Sequence, residues 1–189
     1  MFDAVTSFDF AVLDWIRENL SCGFLDGLCV VISGIWHMGL PCILLAAVLL
    51  LFRRTRKTGT CLALAILFGF VFGNLILKNA VARIRPYDLK EGIDLLVNRL
   101  KDYSFPSGHT LVSFETATVI FVREKKRYGI PAFVAAAVVA MSRLYLYVHY
   151  PTDVVAGIVL GVLFGLAGCC IGGMAYDLAA EKITGEKRN

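Results

Sequence analysis

The chain has 189 residues, 58% of them hydrophobic and only 18% charged, and its mean hydropathy is +0.70. A protein of this length has too little interior to bury that excess, so the composition excludes an ordinary soluble domain and predicts a surface that partly faces lipid. The net charge of +4 excludes the strongly basic surface of a nucleic-acid-binding protein. The six cysteines show no metal-ligand spacing, which favours isolated thiols over a metal site or disulfides.

The N-terminal stretch, residues 4–20, predicts an amphipathic helix. One helical face of this stretch is apolar and contains Phe8, Val12, Trp15, Ile16 and Leu20. We expect the helix to lie in the membrane interface, with its indole at the level of the headgroups. The stretch lacks the basic n-region of a cleavable signal peptide.

Five apolar segments follow, each near or slightly below the length that crosses about 30 Å of hydrocarbon. They are residues 38–52, 60–77, 109–122, 130–148 and 154–176. A shorter segment, 25–35, gives six spans if it crosses and five if it is only partly embedded. The predicted fold class is therefore all-α, a polytopic membrane helix bundle that forms one domain over residues 1–189.

Two features inside the predicted spans bear on packing. Glu115 should face the bundle interior, because a charge facing lipid costs several kcal/mol. We interpret Glu115 and Asn79 as buried hydrogen-bonding residues. Gly157, Gly161 and Gly165 are spaced by four in the last span, and such a stripe of small residues predicts close helix approach.

Basic turns predict the orientation of the chain. They contain Arg53, Arg54, Arg56 and Lys57, then Arg123, Lys125, Lys126 and Arg127, then Lys182, Lys187 and Arg188. The positive-inside rule makes this side cytoplasmic, with the C-terminus. The loop over residues 81–105 and the turn at 149–153 are then outside, although that loop also carries basic residues.

The first polar cluster is Lys78 with Arg85 and Pro86. The two cations are seven positions apart, which in a continuous helix places both on one face about 10 Å apart. Their long side chains could then reach one anion, and Pro86 favours a helix end just before it. The alternative for Lys78 is a side chain that extends to the headgroups.

The second cluster is Pro106, Ser107, Gly108 and His109, at the start of the third predicted span. Ser107 is a favourable N-cap, and a glycine next to it lets a ligand approach closely. Backbone N–H groups at a helix start favour a bound anion. The alternative is an ordinary capped helix in which His109 has no chemical role.

The third cluster is Arg143, His149 and Asp153. A cation inside an otherwise apolar span requires an anionic partner. A carboxylate four residues after a histidine can accept from one ring nitrogen and leave the other free as a base, ligand or nucleophile. The alternative is a His–Asp pair that only joins two helix ends.

Taken together, the three clusters favour phosphoryl transfer. Cations and N–H groups can hold phosphate oxygens, one histidine can attack phosphorus, and another can protonate the leaving oxygen. With only two histidines near the clusters, the composition does not favour a catalytic metal. His37, the third histidine, is interpreted as an interfacial packing residue, with a role at the substrate entrance as the alternative.

In these motifs the sequence resembles the type 2 phosphatidic-acid phosphatase superfamily, whose signature is K-x6-R-P, P-S-G-H and S-R-x5-H-x3-D. All three parts are present in order, within a core over residues 78–153. The resemblance implies an enzyme with no metal or other cofactor. It implies that His149 is the nucleophile, Asp153 its orienting partner and His109 the general acid. The phosphate-binding residues that it implies are Lys78, Arg85, Ser107, Gly108 and Arg143.

The resemblance thus implies a metal-independent phosphatase that acts on a lipid phosphate at the outer face of a bacterial cytoplasmic membrane. The candidate substrates are undecaprenyl diphosphate, phosphatidylglycerophosphate and phosphatidate, with a preference for the first or for a broad range. A lipid phosphotransferase with the same histidines, or a non-catalytic protein that binds or transports anionic lipids, are the alternatives. No nucleic acid and no obligate protein partner is expected.

Overall fold

The structure, a computed structural model, describes residues 2–184, and every regular element in that range is helical. The α-helices in this range are α1 (Phe2–Leu20), α2 (Gly23–Ile35), α3 (Leu40–Leu51), α4 (Arg56–Phe68), α5 (Lys78–Val81), α6 (Pro86–Leu89), α7 (Gly108–Arg123), α8 (Lys126–Tyr145) and α9 (Pro151–Thr184). A 3₁₀ turn, His37–Gly39, precedes α3, and a π-helical segment, Gly69–Leu77, joins α4 to α5. The predicted all-α class is confirmed for the described residues.

Among the described residues, three helical stretches are long and apolar enough to cross a membrane. They are Arg56–Leu89, which runs from α4 to α6, Lys126–Tyr145 and Pro151–Lys182. Gly23–Ile35 and Leu40–Leu51, bent by 47° relative to each other, make a fourth if they form one broken span. Helix α7 has 16 residues and falls just short of a full crossing. The chain is therefore an integral membrane protein, and the count of five or six spans stays a prediction.

Helix α9 packs along both α7 and α4, and its small residues make this possible. A Cβ added at Gly161 would lie 2.6 Å from the carbonyl oxygen of Leu111, and one at Gly165 would lie 2.7 Å from Cβ of Thr118. Both distances are too short for a side chain, so the helices approach as closely as the stripe of glycines predicts. Farther along α9, Gly168 makes a similar approach to α4.

Helix α1 forms as predicted, but its apolar residues do not share one environment. Leu13 and Ile16 are buried against the bundle, whereas Phe8 and Trp15 are 62% and 58% exposed. The prediction of a single lipid-facing apolar face is wrong for Ile16, because α1 packs on α8 and α9 and directs that side chain into the core. The same inner side carries Asp9, which is completely buried.

The two polar residues predicted to be buried behave differently. Glu115 is buried inside the bundle, as predicted, but neither carboxylate oxygen has a hydrogen-bond partner among residues 2–184. The prediction for Asn79 is wrong, because this side chain is exposed on the outer side of α5 and donates to the carbonyl oxygen of Leu75.

The long helices alternate in direction, and this gathers the signature segments at one end of the bundle. The run from α4 to α5 ends there with Lys78, α7 begins there, α8 ends there with Arg143, and α9 begins there. The basic turns at 53–57 and 123–127, and Lys182, lie at the opposite end. Lys187 and Arg188 lie outside the described residues.

Candidate active site

Lys78 and Arg85 meet at a shared carboxylate, that of Asp102. Nζ of Lys78 donates to Oδ2 of Asp102 at 2.6 Å, and Nη2 of Arg85 donates to Oδ1 at 2.7 Å. Both cations are buried, whereas the Asp102 side chain is 52% exposed. Two of the predicted phosphate-binding cations therefore do converge on one anion, and in this structure that anion is a side chain of the loop that follows α6.

The route by which these cations meet differs from the prediction. The helix ends at Val81, Ala82 takes a left-handed conformation with φ 48°, and Arg85 is the N-cap of α6. The prediction that both cations lie on one continuous helical face is wrong, as is the helix end just before Pro86. The break occurs four residues earlier. Pro86 begins the next helix, where a backbone N–H would have no acceptor within the helix, so its absence from proline costs no hydrogen bond.

The start of α7 carries the second predicted cluster. Ser107 is the N-cap residue, but its hydroxyl oxygen lies 2.9 Å from that of Thr110 instead of capping a backbone N–H. Gly108 and His109 form the first turn, where backbone N–H groups have no partner within the helix. A Cβ at Gly108 would lie 2.9 Å from the side-chain oxygen of Asn74, so a larger residue here would require that side chain to shift.

Arg143 is the most isolated cation of the site. It lies in the last turn of α8 with a side chain that is almost fully buried. Its guanidinium donates to the hydroxyls of Ser142 and Ser33, the latter at 3.0 Å. No carboxylate within residues 5–182 lies at ion-pair distance from it. The predicted anionic partner of this cation is therefore not a side chain of the described chain.

His149 lies in the turn between α8 and α9, and its two ring nitrogens face different groups. Nδ1 lies 3.7 Å from Oδ2 of Asp153 and 3.4 Å from Oγ of Ser104. The Ser104 hydroxyl donates to Asp153, so its oxygen is free to accept from an Nδ1–H group. Nε2 lies 3.4 Å from Nη1 of Arg85. Because a guanidinium nitrogen can only donate, this contact favours an unprotonated Nε2. The arrangement leaves the Nε2 lone pair on the side of the cations.

The environment of His149 also favours its neutral form. Burial lowers the pKa of this imidazole from 6.5 to about 4, and the positive charges of Arg85 and Lys78 act in the same direction. The nearby carboxylate of Asp153 opposes the effect without cancelling it. At neutral pH the ring is therefore uncharged, which is the form that can act as a nucleophile.

Asp102 has the opposite balance. Burial alone would raise its pKa, but the hydrogen bonds and charges of Lys78 and Arg85 outweigh that effect and lower the pKa to about 2. The carboxylate is thus ionised at every pH at which the protein would be assayed, and it is the anion that Lys78 and Arg85 bind.

A cavity of about 580 Å³ opens beside these residues. His109 and Arg143 contribute polar groups to its lining, and His37, exposed in the 3₁₀ turn, lines it as well. The apolar part of the wall consists of Val30, Leu95, Leu96, Val97, Leu100 and Val148. The cavity therefore combines one cation, Arg143, and the two histidines with an apolar wall, which suits an amphiphilic ligand, whereas Lys78, Arg85 and His149 do not line it. His37, interpreted from sequence as a packing residue, lies on this wall.

Four residues at the site were not singled out from the sequence. Asp102 and Ser104 belong to the irregular stretch before α7 and bind the cations and Asp153 respectively. Arg83 donates to Asp153, and Asp9 of α1 binds Arg83. The sequence gives a weak indication that Arg83 belongs to the site. It lies two residues before the motif arginine, in a loop whose positive charge conflicts with the predicted orientation.

Several known proteins are similar to this chain in sequence and in fold. The sequence matches the PAP2 superfamily over residues 57–176. It is 36% identical over 139 residues to an undecaprenyl-diphosphatase of Sulfolobus acidocaldarius, a match that covers 72% of this chain and 66% of that protein. It is 33% identical to phosphatidylglycerophosphatase B of Bacillus subtilis, covering 70% of each chain. These matches span about two thirds of the relatives' own lengths. The crystal structure of Aquifex aeolicus LpxE superposes with a TM-score of 0.75 at 29% identity, covering 84% of this chain and 93% of that one.

Proposed function

The chain belongs to the PAP2 superfamily, and from this premise we propose that it is a membrane lipid-phosphate phosphatase that works through a phosphohistidine. One observation carries the proposal most strongly. Among the described residues, the buried cation of Arg143 is bonded only to serine hydroxyls, and it lies beside a cavity that His109 also lines. A buried charge without a counter-charge is strongly destabilising, so the geometry supports an anionic ligand that arrives from outside.

In the first step the substrate phosphate replaces Asp102 at Lys78 and Arg85, and Arg143 and the first turn of α7 bind its remaining oxygens. Nε2 of His149 attacks phosphorus, the P–N bond forms, and the bond from phosphorus to the leaving oxygen breaks. His109 gives its proton to that oxygen. Asp153 and the Ser104 hydroxyl stabilise the Nδ1–H of the phosphorylated ring.

In the second step water attacks phosphorus and His109 accepts its proton. The P–N bond breaks and its electron pair returns to Nε2, which restores neutral His149. Apart from the attacking water of the second step, every acid, base and nucleophile in this scheme is a side chain of the site, and the reaction is expected to need no metal. Among the described residues there is no cluster of three or more His, Cys, Asp or Glu that could hold one.

We propose a lipid diphosphate of the undecaprenyl type as the preferred substrate, within a broad range of lipid phosphates. The apolar wall formed by α2 and residues 95–100 gives a tail a path beside the phosphate-binding cations. Relatives named as acting on undecaprenyl diphosphate and on phosphatidylglycerophosphate support the same class. The site is proposed to face the outside of a bacterial cytoplasmic membrane, because the basic turns lie at the other end of the helices.

The test is phosphate release by the purified protein in detergent, with undecaprenyl diphosphate, phosphatidylglycerophosphate, phosphatidate and a soluble phosphate ester compared. We expect the lipids to be hydrolysed faster than the soluble ester. His149→Ala should reduce turnover by at least about 10³-fold, because it removes the nucleophile. Arg127→Ala, at the opposite end of the bundle, is the control for an unrelated loss of positive charge and should retain activity.

Product analysis separates hydrolysis from transfer. With a second lipid present as acceptor, a phosphatase releases inorganic phosphate in step with substrate loss. Substrate loss with the phosphate recovered on the second lipid would replace the hydrolase by a phosphotransferase. Tight lipid binding with no product of either kind would instead support a binding protein, and near-normal turnover of His149→Ala would overturn the assignment of the nucleophile.

A further inference from the structure

The carboxylate of Asp153 has two sides, and only one of them faces His149. Oδ2 lies near Nδ1 of the histidine and accepts hydrogen bonds from the hydroxyl of Ser104 and the backbone N–H of Tyr150. Oδ1 accepts from Nη1 of Arg83 at 2.7 Å. The orientation of Asp153 therefore depends on Arg83 as much as on the groups next to the histidine.

Arg83 is itself held from three directions. Nη1 also donates to Oγ1 of Thr152 at 2.7 Å, and Nη2 donates to Oδ2 of Asp9 at 2.6 Å. Its guanidinium lies over the ring of Tyr150, 3.7 Å from the centroid. A planar, multiply bonded guanidinium in this setting has one orientation, which is the property needed to fix a neighbouring carboxylate.

Asp9 completes the arrangement from the N-terminal helix. Its side chain is fully buried, and it accepts from the backbone N–H of Thr152 at 3.1 Å and from the Thr152 hydroxyl at 2.6 Å. Asp9 thus binds both Arg83 and the first turn of α9, the helix that carries Asp153. A chain of hydrogen bonds runs from α1 through Arg83 to Asp153, with alternating charges along it.

We propose that Asp9 and Arg83 are positioning residues for Asp153, and that α1 is consequently part of the catalytic framework. Neither residue touches the cavity that His109 and Arg143 line. The outer side of α1 exposes Phe8 and Trp15, which suits insertion into the membrane interface. Docking of α1 against the bundle therefore couples the membrane interface to the orientation of His149. This inference rests on the proposed function.

The signs of the two charges give a test that a merely structural role would not reproduce. Arg83 partly neutralises Asp153, so its loss leaves more negative charge to stabilise protonated His149, and the acid limb of kcat/KM should move to higher pH. Asp9 partly neutralises Arg83, so its loss should move the limb to lower pH or leave it in place. The other charged or titratable groups that face His149 are Lys78, Arg85, His109 and Asp153.

The experiment measures the pH profile of lipid-phosphate hydrolysis by the full-length protein. For Arg83→Gln we expect kcat to fall about 100-fold, as for a misplaced catalytic group, with KM nearly unchanged. We expect its acid limb to move up by about one pH unit. Arg83→Lys keeps the positive charge but lacks the planar guanidinium. It should therefore have an acid limb at the wild-type pH and recover only part of the wild-type kcat.

For Asp9→Asn we expect a smaller loss of kcat, with a limb that does not move up. Asp14→Asn is the matched control, because Asp14 lies on the same helix but bonds Lys90 and Tyr147 instead of the Asp153 network. It should leave the limb in place. Arg99→Gln controls for loss of an arginine from the same loop.

Two outcomes would overturn the inference: variants of Arg83 and Asp9 with wild-type kinetics, or activity losses in which the acid limb does not move up for Arg83→Gln or does move up for Asp9→Asn. If Arg83→Gln does not fold, the comparison of Arg83→Lys with Asp9→Asn still decides, since Arg83→Lys must lower kcat while keeping the limb. A wild-type protein that releases no phosphate from any lipid would overturn the proposed function instead, which separates the two failures.

Discussion

The exposed carboxylate of Asp102 makes a sharp prediction about substrate affinity. Asp102 occupies Lys78 and Arg85 at 2.6 and 2.7 Å, and a substrate phosphate that binds these cations must first displace it. Replacing Asp102 with asparagine keeps the size of the side chain but removes the competing charge. We therefore expect Asp102→Asn to bind lipid phosphate more tightly than the wild type.

The magnitude follows from the strength of the competing interaction. The pKa of Asp102 is lowered from 3.8 to about 2. That difference corresponds to about 2 kcal/mol of preference of the two cations for the ionised form. Since half of the side chain is exposed, screening by solvent reduces the net value to about 1 kcal/mol. The expected fall in KM is therefore about five-fold, with kcat little changed, and it should shrink at high salt.

The assay is phosphate release at varied surface concentrations of lipid phosphate in mixed micelles, with inhibition by inorganic phosphate as a second readout. Both KM and the inhibition constant should fall in Asp102→Asn. Asp94→Asn removes the same charge from the same exposed loop without contact to the cations, and it should leave both constants within about two-fold. An unchanged or higher KM in Asp102→Asn would mean that Asp102 holds the cations in place for the substrate, and the competition argument would be wrong.

Three further predictions concern stability and metal dependence. Because the pKa of His149 is lowered in the folded protein, the unfolded chain binds more protons than the folded one between pH 6.5 and about 4. As the pH is lowered through that window, Tm in detergent should therefore decrease. The fall should be smaller in His149→Asn, and an equal fall would contradict the assignment. Gly161→Ala should destabilise the protein by about 1 to 3 kcal/mol because its Cβ meets a backbone oxygen of α7. Gly173→Ala should not, because its Cβ would lie 3.7 Å from Cε of Lys57, an ordinary contact distance. Activity should survive EDTA, and loss that a divalent ion restores would favour a metal mechanism.

The sequence predicted the helical class and which signature residues come together, since both depend on local patterns. Apolar periodicity marks the helices, and alternating helix direction then carries the polar ends to one side. The meeting of Lys78 and Arg85 was predicted correctly for an incorrect reason. Helical spacing assumed a continuous helix, but the left-handed conformation of Ala82 interrupts it. The contact depends instead on a carboxylate 24 residues after Lys78.

The partners of the signature residues could not be predicted, because they come from segments without periodic patterns or from remote parts of the chain. Asp102 and Ser104 lie in an irregular loop, where sequence spacing gives no distance. Asp9 is 74 residues before Arg83, and a single aspartate on an amphipathic helix looks like an ordinary polar position. What distinguishes it is complete burial, which only the packing of α1 against α8 and α9 determines.

The cations of the site have carboxylate partners of two kinds, which differ in their exposure to solvent. Arg83 is paired with two carboxylates that are completely buried, so its interactions are permanent features of the fold. Lys78 and Arg85 share the half-exposed Asp102, and Arg143 has no carboxylate within the described chain. A phosphate with two negative charges that replaces Asp102 would supply the charge that Arg143 lacks as well. We therefore infer that the site is balanced for the bound substrate, with the loop carboxylate as a weaker occupant of the same cations.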